Sequence, residues 1–210
     1  MGSETYVPDN EWFRSVTPDG LPANASIVIS GPGGSGKPLI GFAVVEAWLD
    51  AGGFVVFLLT NSDDEFVYET MDLLYDVNRK RIEDGVVFVD FDPEMEPTLD
   101  ALENEPGAPV AGNLLEPDVW DGAIDAALER VPETERGTLL FGSALNLFLF
   151  SPTYREAILK TLVETVERTD LTTLFTVSTS AHEEDIANVE AAADTVLMTD
   201  MVDGGLTLRG

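Results

Sequence analysis

Ser26-Ile27-Val28-Ile29-Ser30 is a short apolar run rich in β-branched residues, and it leads straight into Gly31-Pro32-Gly33-Gly34-Ser35-Gly36-Lys37-Pro38. Few local sequences constrain a chain more. The run suits a buried strand, the glycines mark a turn, and Leu39, Ile40, Phe42, Ala43, Val45, Glu46 and Leu49 recur at helical spacing. Strand, G-x-x-x-x-G-K, helix is the layout of a phosphate-binding loop. Glycines admit positive φ and close approach, so successive N–H groups turn inward as an anion-binding nest. A helix opening near Lys37 adds the positive end of its dipole, and the lysine ammonium adds a full charge.

One position departs from the pattern. Pro38 stands where the motif has Ser or Thr. The missing hydroxyl would be a Mg²⁺ ligand, and proline also removes a backbone N–H from the cradle. Proline is tolerated in the first helical turn, so the loop is expected to keep its shape while losing chemistry. Gly31, Pro32, Gly33, Gly34, Ser35, Gly36, Lys37 and Pro38 are therefore the candidate nucleotide-binding residues, for ATP or ADP. Mg²⁺-dependent hydrolysis is expected to be weak or absent, and no catalytic or metal-ligating residue is assigned.

Strands and helices alternate after the loop. Phe54–Thr60 is a continuous apolar run, as expected of a parallel strand covered on both faces. N-cap residues in Asn61–Glu65 open a helix expected to reach Arg81, with Arg79-Lys80-Arg81 at its C-terminus. Val86–Asp90 is a third strand; Asp92 to Pro117 is an acidic, Pro-rich connection too long for an ordinary loop, expected either to hold a short helix near Leu99–Glu105 or to be mobile. Asp118–Arg130 is a helix, Thr138–Phe141 a strand, Thr153–Arg168 a helix, Thr172–Ser178 a strand, Glu183–Ala192 a helix and Thr195–Thr199 a strand. Asp203-Gly204-Gly205 suits a hairpin turn to Leu206–Arg209. This order implies an α/β fold with a mainly parallel sheet, whose ligands bind at the carboxyl ends of strands.

At 210 residues the chain fits one domain, 1–210, with residues 1–25 as an N-terminal arm held by Trp12 and Phe13. No apolar run approaches a membrane span, no signal peptide is evident, and the absence of cysteine excludes disulfides and thiolate metal sites. A cytoplasmic location follows by default. Acidic residues number 39 against 11 basic ones, for a net charge of −28. With a normal apolar core, that excess suits a protein kept soluble at very high salt, which screens self-repulsion. It argues against nucleic acid, whose phosphates need clustered Lys or Arg.

The order of elements and the loop resemble the RecA-type ATPases of the KaiC-like group, from about Gly20 to Arg209. Gly20–Ser26 resembles the lead-in to the loop strand, and Phe57–Phe66, Val86–Asp90, Thr138–Ser143, Leu174–Ser178 and Ala193–Leu197 resemble later strands in sequence. The resemblance implies a three-layer RecA-like P-loop NTPase fold with a C-terminal hairpin, assembly into rings, and ATP held between subunits. With the charge, it points to a halophilic archaeal source. It also implies catalytic positions, and all of them are changed. The carboxylate ending the fourth strand falls at Gly142, before Ser143; the paired glutamates fall near Thr60 and Asn61; the Ser/Thr metal ligand falls at Pro38. Asp90 is a rival metal organiser, and Asp63 or Asp64 a rival water activator, although helix capping explains the last two equally well.

His182, the only histidine, follows the fifth strand and could sense a γ-phosphate or lie in a loop. Asn146–Phe150 is either buried or an apolar rim for a subunit or protein partner. The leading expectation is a nucleotide-binding regulator that hydrolyses weakly or not at all. An active ATPase with atypical metal carboxylates, and a scaffold that binds no nucleotide, remain the alternatives.

Overall fold

The computed structural model describes residues 5–6, 11–22, 24–202 and 205–210, and the side chains of 13–21, 24–200 and 207–210. The elements in order are β1 (Thr5–Tyr6), α1 (Glu11–Val16), β2 (Leu21–Pro22), β3 (Ser26–Gly31), α2 (Lys37–Asp50), β4 (Phe54–Leu59), α3 (Asp64–Tyr75), α4 (Arg79–Gly85), β5 (Val86–Phe91), β6 (Val110–Gly112), α5 (Pro117–Leu128), β7 (Thr138–Gly142), α6 (Arg155–Val166), β8 (Thr172–Ser178), α7 (Glu183–Ala192), β9 (Thr195–Val202) and β10 (Gly205–Arg209).

An eight-stranded sheet runs β10-β9-β3-β8-β7-β4-β5-β6, parallel throughout except for the antiparallel β9–β10 pair. Both faces are covered, which is why the strands are apolar without interruption. Ile27, Ile29, Val55, Phe57, Leu139 and Phe141 point to one core, under α2, α3 and α4. Val28, Val56, Leu58, Leu140 and Phe175 point to the other, under α5, α6 and α7. The three-layer α/β architecture and the C-terminal hairpin agree with expectation. The turn residues Asp203 and Gly204 lie outside the described residues.

α2 is the most enclosed helix. Phe42, Val44, Val45, Trp48 and Leu49 are buried, and Phe42 stacks on Phe57 at 5.6 Å between ring centroids. A Cβ at Gly41 would lie 2.4 Å from the Phe141 ring, so the absent side chain lets the helix settle on the sheet. Phe13 is wholly buried, which anchors the N-terminal segment; the Trp12 side chain is outside the described set.

Three local expectations change. The helix expected from Asn61 to Arg81 is two helices, because Asp76 turns left-handed (φ 56°) and Asn78 caps α4, accepting the Arg81 N–H at 3.1 Å. Arg79-Lys80-Arg81 consequently opens a helix rather than ending one. Surface carboxylates balance it: Glu65 and Glu83 on Arg79, Asp84 on Lys80, Asp50 on Arg81. The connection 92–117 is also ordered beyond a short helix. It holds a 3₁₀ turn at Leu99–Ala101, then β6, which extends the sheet beside β5.

Candidate functional site

The glycine-rich turn leaves the carboxyl end of β3, where Gly31 has φ 153° and lies against β9. A Cβ there would sit 2.3 Å from the Thr199 carbonyl oxygen and hydroxyl, so only glycine allows this approach. Gly34 (φ 79°) and Gly36 (φ 69°) turn left-handed and fold the loop over the start of α2.

Lys37 points back into the loop. Its Nζ donates to the carbonyls of Gly31 (3.0 Å) and Pro32 (2.6 Å) and to Ser35 Oγ (3.2 Å), and burial holds its pKa below the ordinary lysine value. Lys80 and Lys160, the other lysines of the sequence, lie in exposed i,i+4 ion pairs. Ser35 Oγ also contacts the Pro32 carbonyl and Thr199 Oγ1, both at 2.7 Å, and Thr199 Oγ1 donates to the Ser30 carbonyl at 3.1 Å. Ser180 Oγ accepts the Gly33 N–H at 2.8 Å. Thr199 and Ser180 are the loop supports that sequence reasoning missed; the only signal was a hydroxyl within or just beyond a strand.

The N-terminus of α2 differs from its neighbours. α3, α5, α6 and α7 each carry acid in the first turn, whereas α2 and α4 carry none; of these two α4 is capped by Asn78 and α2 has no side-chain cap. In a chain with 39 acidic residues, the first turn of α2 has neither a carboxylate nor a side-chain cap to compensate the positive dipole.

Beside it opens a cleft of about 670 Å³, lined by Pro38 and by the carboxyl ends of β4, β5 and β7. Thr60, Asn61, Ser143, Asp63 and Asp90 all reach it. Thr60 Oγ1 donates to the Ser143 carbonyl, tying the ends of β4 and β7 together. Asp63 Oδ1 accepts the Phe66 N–H at 2.9 Å, the capping role expected of it. Asp90 is the penultimate residue of β5, four strands from β3, and burial together with Asp92, Asp64 and Asp63 raises its pKa.

No protein-family model matches the chain, and no curated protein matches it in sequence. Its backbone is similar to that of the flagellar accessory protein FlaH from Methanocaldococcus jannaschii, with a TM-score of 0.63 and 14% identity, covering 98% of this chain and 85% of that one. It is similar also to a KaiC-like protein from the hyperthermophilic archaeon Pyrococcus horikoshii OT3, with a TM-score of 0.64 and 16% identity, covering 99% and 86%.

The chain shares its fold with these FlaH and KaiC-like proteins.

The strand order sets the two candidate positions, Gly142 and Asp90, apart. β7 is separated from β3 by β8 alone, and it ends at Gly142, whereas β5 lies two strands further out. At Gly142, where the resemblance would put a metal-organising carboxylate, a side chain has no room. A Cβ at Gly142 would lie 2.8 Å from Leu145 Cδ2 and 3.1 Å from the Phe175 ring. With Pro38 lacking a hydroxyl, the residues at these positions do not fit a protein-held Mg²⁺. Among the described residues, no group of three or more His, Asp or Glu side chains could hold a metal ion.

His182 caps α7 in a left-handed conformation, its ring 4.9 Å from that of Phe150 and its Nδ1 3.9 Å from Asp185, which Arg155 also holds. The segment Leu145–Phe150 is a 3₁₀ helix with both expected characters. Leu145, Asn146, Phe148 and Leu149 are buried, and Leu147 and Phe150 are exposed. Asn146 Oδ1 accepts the Ser178 N–H at 3.0 Å, so this segment braces the turn after β8. No helix among the described residues is long and apolar enough to cross a membrane.

Proposed function

We propose that the protein is a KaiC-like nucleotide-binding regulator that takes ATP or ADP on Gly31–Pro38 and hydrolyses it weakly or not at all. One contrast carries the reading: the start of α2 is kept free of acid and fitted with an inward lysine, while the neighbouring metal positions carry Pro38, Gly142 and Asn61. Phosphate oxygens would replace the loop carbonyls and Ser35 as partners of the Lys37 ammonium and would accept from the first-turn N–H groups. Binding energy then comes from nest, dipole and lysine, without a metal held by protein.

The bound state would bias contact with further copies or a protein partner, for which the exposed Leu147 and Phe150 are the first surface to test. The acid excess supports a salt-rich cytoplasm as the working medium. The experiment is a thermal melt in molar KCl with ATP or ADP, each with and without Mg²⁺. Ligand at about 100 times its Kd adds about 2.7 kcal/mol of stability. A shift independent of Mg²⁺ and lost in Lys37→Ala supports the reading; no shift with either nucleotide overturns it.

A further inference from the structure

The cleft beside Pro38 is lined in part by the polar Thr60, Asn61, Ser62 and Ser143 and in part by an apolar wall. Phe42 and Phe57, almost wholly buried, lie deepest; Leu59 and Phe91 continue the wall, and Phe66, 49% exposed, stands toward solvent. Its volume, about 670 Å³, falls in the range that encloses a small organic group. Two carboxylates face this apolar space. Asp63 uses Oδ1 on its helix cap, and Asp90 sits half-buried among Asp92, Asp64 and Asp63. No cation among the described residues pairs with either.

We propose that this cleft is a docking pocket for a protein partner that presents an arginine or lysine beside an aromatic side chain. The charge chooses the occupant. A cation at Asp90 relieves the repulsion among carboxylates that the fold concentrates there, and a ring fills the apolar wall that a hydrated ion would leave bare. Mg²⁺ keeps several waters and suits such walls poorly. A second copy brings a net charge of −28 of its own. The apolar surface continues outward on α3, where Leu73, two turns from Phe66, is 82% exposed, and at Leu39, 44% exposed, on the adjoining end of α2. The carbonyl of Leu39 accepts a hydrogen bond from Tyr75 Oη, so the two exposed helix faces are joined. A longer partner segment has a track to follow. Docking in this cleft does not need nucleotide.

The test is calorimetric titration with acetyl-Arg-Trp-amide and its uncharged counterpart acetyl-citrullyl-Trp-amide, at molar KCl and at the lowest salt that preserves the fold. Saturable binding of the arginine peptide is expected, weaker by about tenfold or more for the citrulline peptide and for Asp90→Asn, and unchanged in Lys37→Ala. Asp63→Asn is the companion variant: asparagine also caps a helix, so the fold is kept while a charge is lost, and weaker binding is again expected. Equal affinity for the two peptides, no saturable binding, or binding indifferent to Asp90→Asn overturns the proposal, the last by putting the peptide elsewhere on the acidic surface. Displacement of the peptide by Mg²⁺ at equimolar concentration also overturns it, by making the cleft a metal site.

Discussion

The hydroxyls of Ser35 and Thr199 lie 2.7 Å apart, joining the glycine loop to the strand on its far side. Thr199 also donates to the Ser30 carbonyl, so a single side chain holds both the start and the middle of the turn. Thr199→Val keeps the volume and removes both bonds. A loss of about 1–2 kcal/mol in urea denaturation is expected, with weaker nucleotide binding. Ser35→Ala should overlap with it, so a double-mutant cycle gives less than the sum of the single effects.

Lys37→Met separates stability from binding. A desolvated ammonium is removed, so the melting temperature without ligand should hold or rise, while the response to ATP or ADP disappears. The pH dependence has a definite sign. Burial lowers the folded pKa of Lys37 below 10.5, so the unfolded chain binds the proton more tightly. Stability of the parent relative to Lys37→Met should therefore rise with pH between the depressed folded pKa and about 10.5, as measured by denaturation at alkaline pH.

Asp90 behaves in the opposite sense. Its folded pKa is raised above 3.8, so ionisation costs stability in the folded state. Asp90→Asn should be more stable than the parent at neutral pH. That advantage should fade as pH falls through the raised pKa toward 3.8, where the parent carboxyl is protonated too. Paired denaturation curves across that acid range check it.

Gly142→Asp should not restore a metal site by itself. The new Cβ meets Leu145 and Phe175, and overpacking of this kind costs about 1–3 kcal/mol. Phosphate release with Mg²⁺ should stay at background in this variant. It should rise only when Pro38→Thr and Asn61→Glu are added and Leu145 is trimmed to alanine.

The loop, its strand and its helix were legible because each signal is local. β-Branched residues, glycines at left-handed positions and an inward lysine all fall between Ser26 and Asp50. The sheet and its two covered faces followed from the alternation of apolar runs. What was not legible depended on distant partners. Thr199 and Ser180 support the loop through hydroxyls that look like any others in sequence. β6 is three residues long and becomes a strand only because β5 offers it an edge. The division between α3 and α4 did leave a signal in Asn78, hidden behind a basic run that suits either end of a helix.

The position of β3 in the sheet has a consequence for synthesis. Its strand neighbours are β8 and β9, which begin at Thr172 and Thr195. A ribosome that has made the loop must therefore translate on as far as β8 before that strand can find either neighbour. Until then its backbone N–H and C=O groups have only water or transient partners. A ligand that requires the formed loop cannot assist the early nascent chain. It can hold only a chain in which β8 or β9 has already been made.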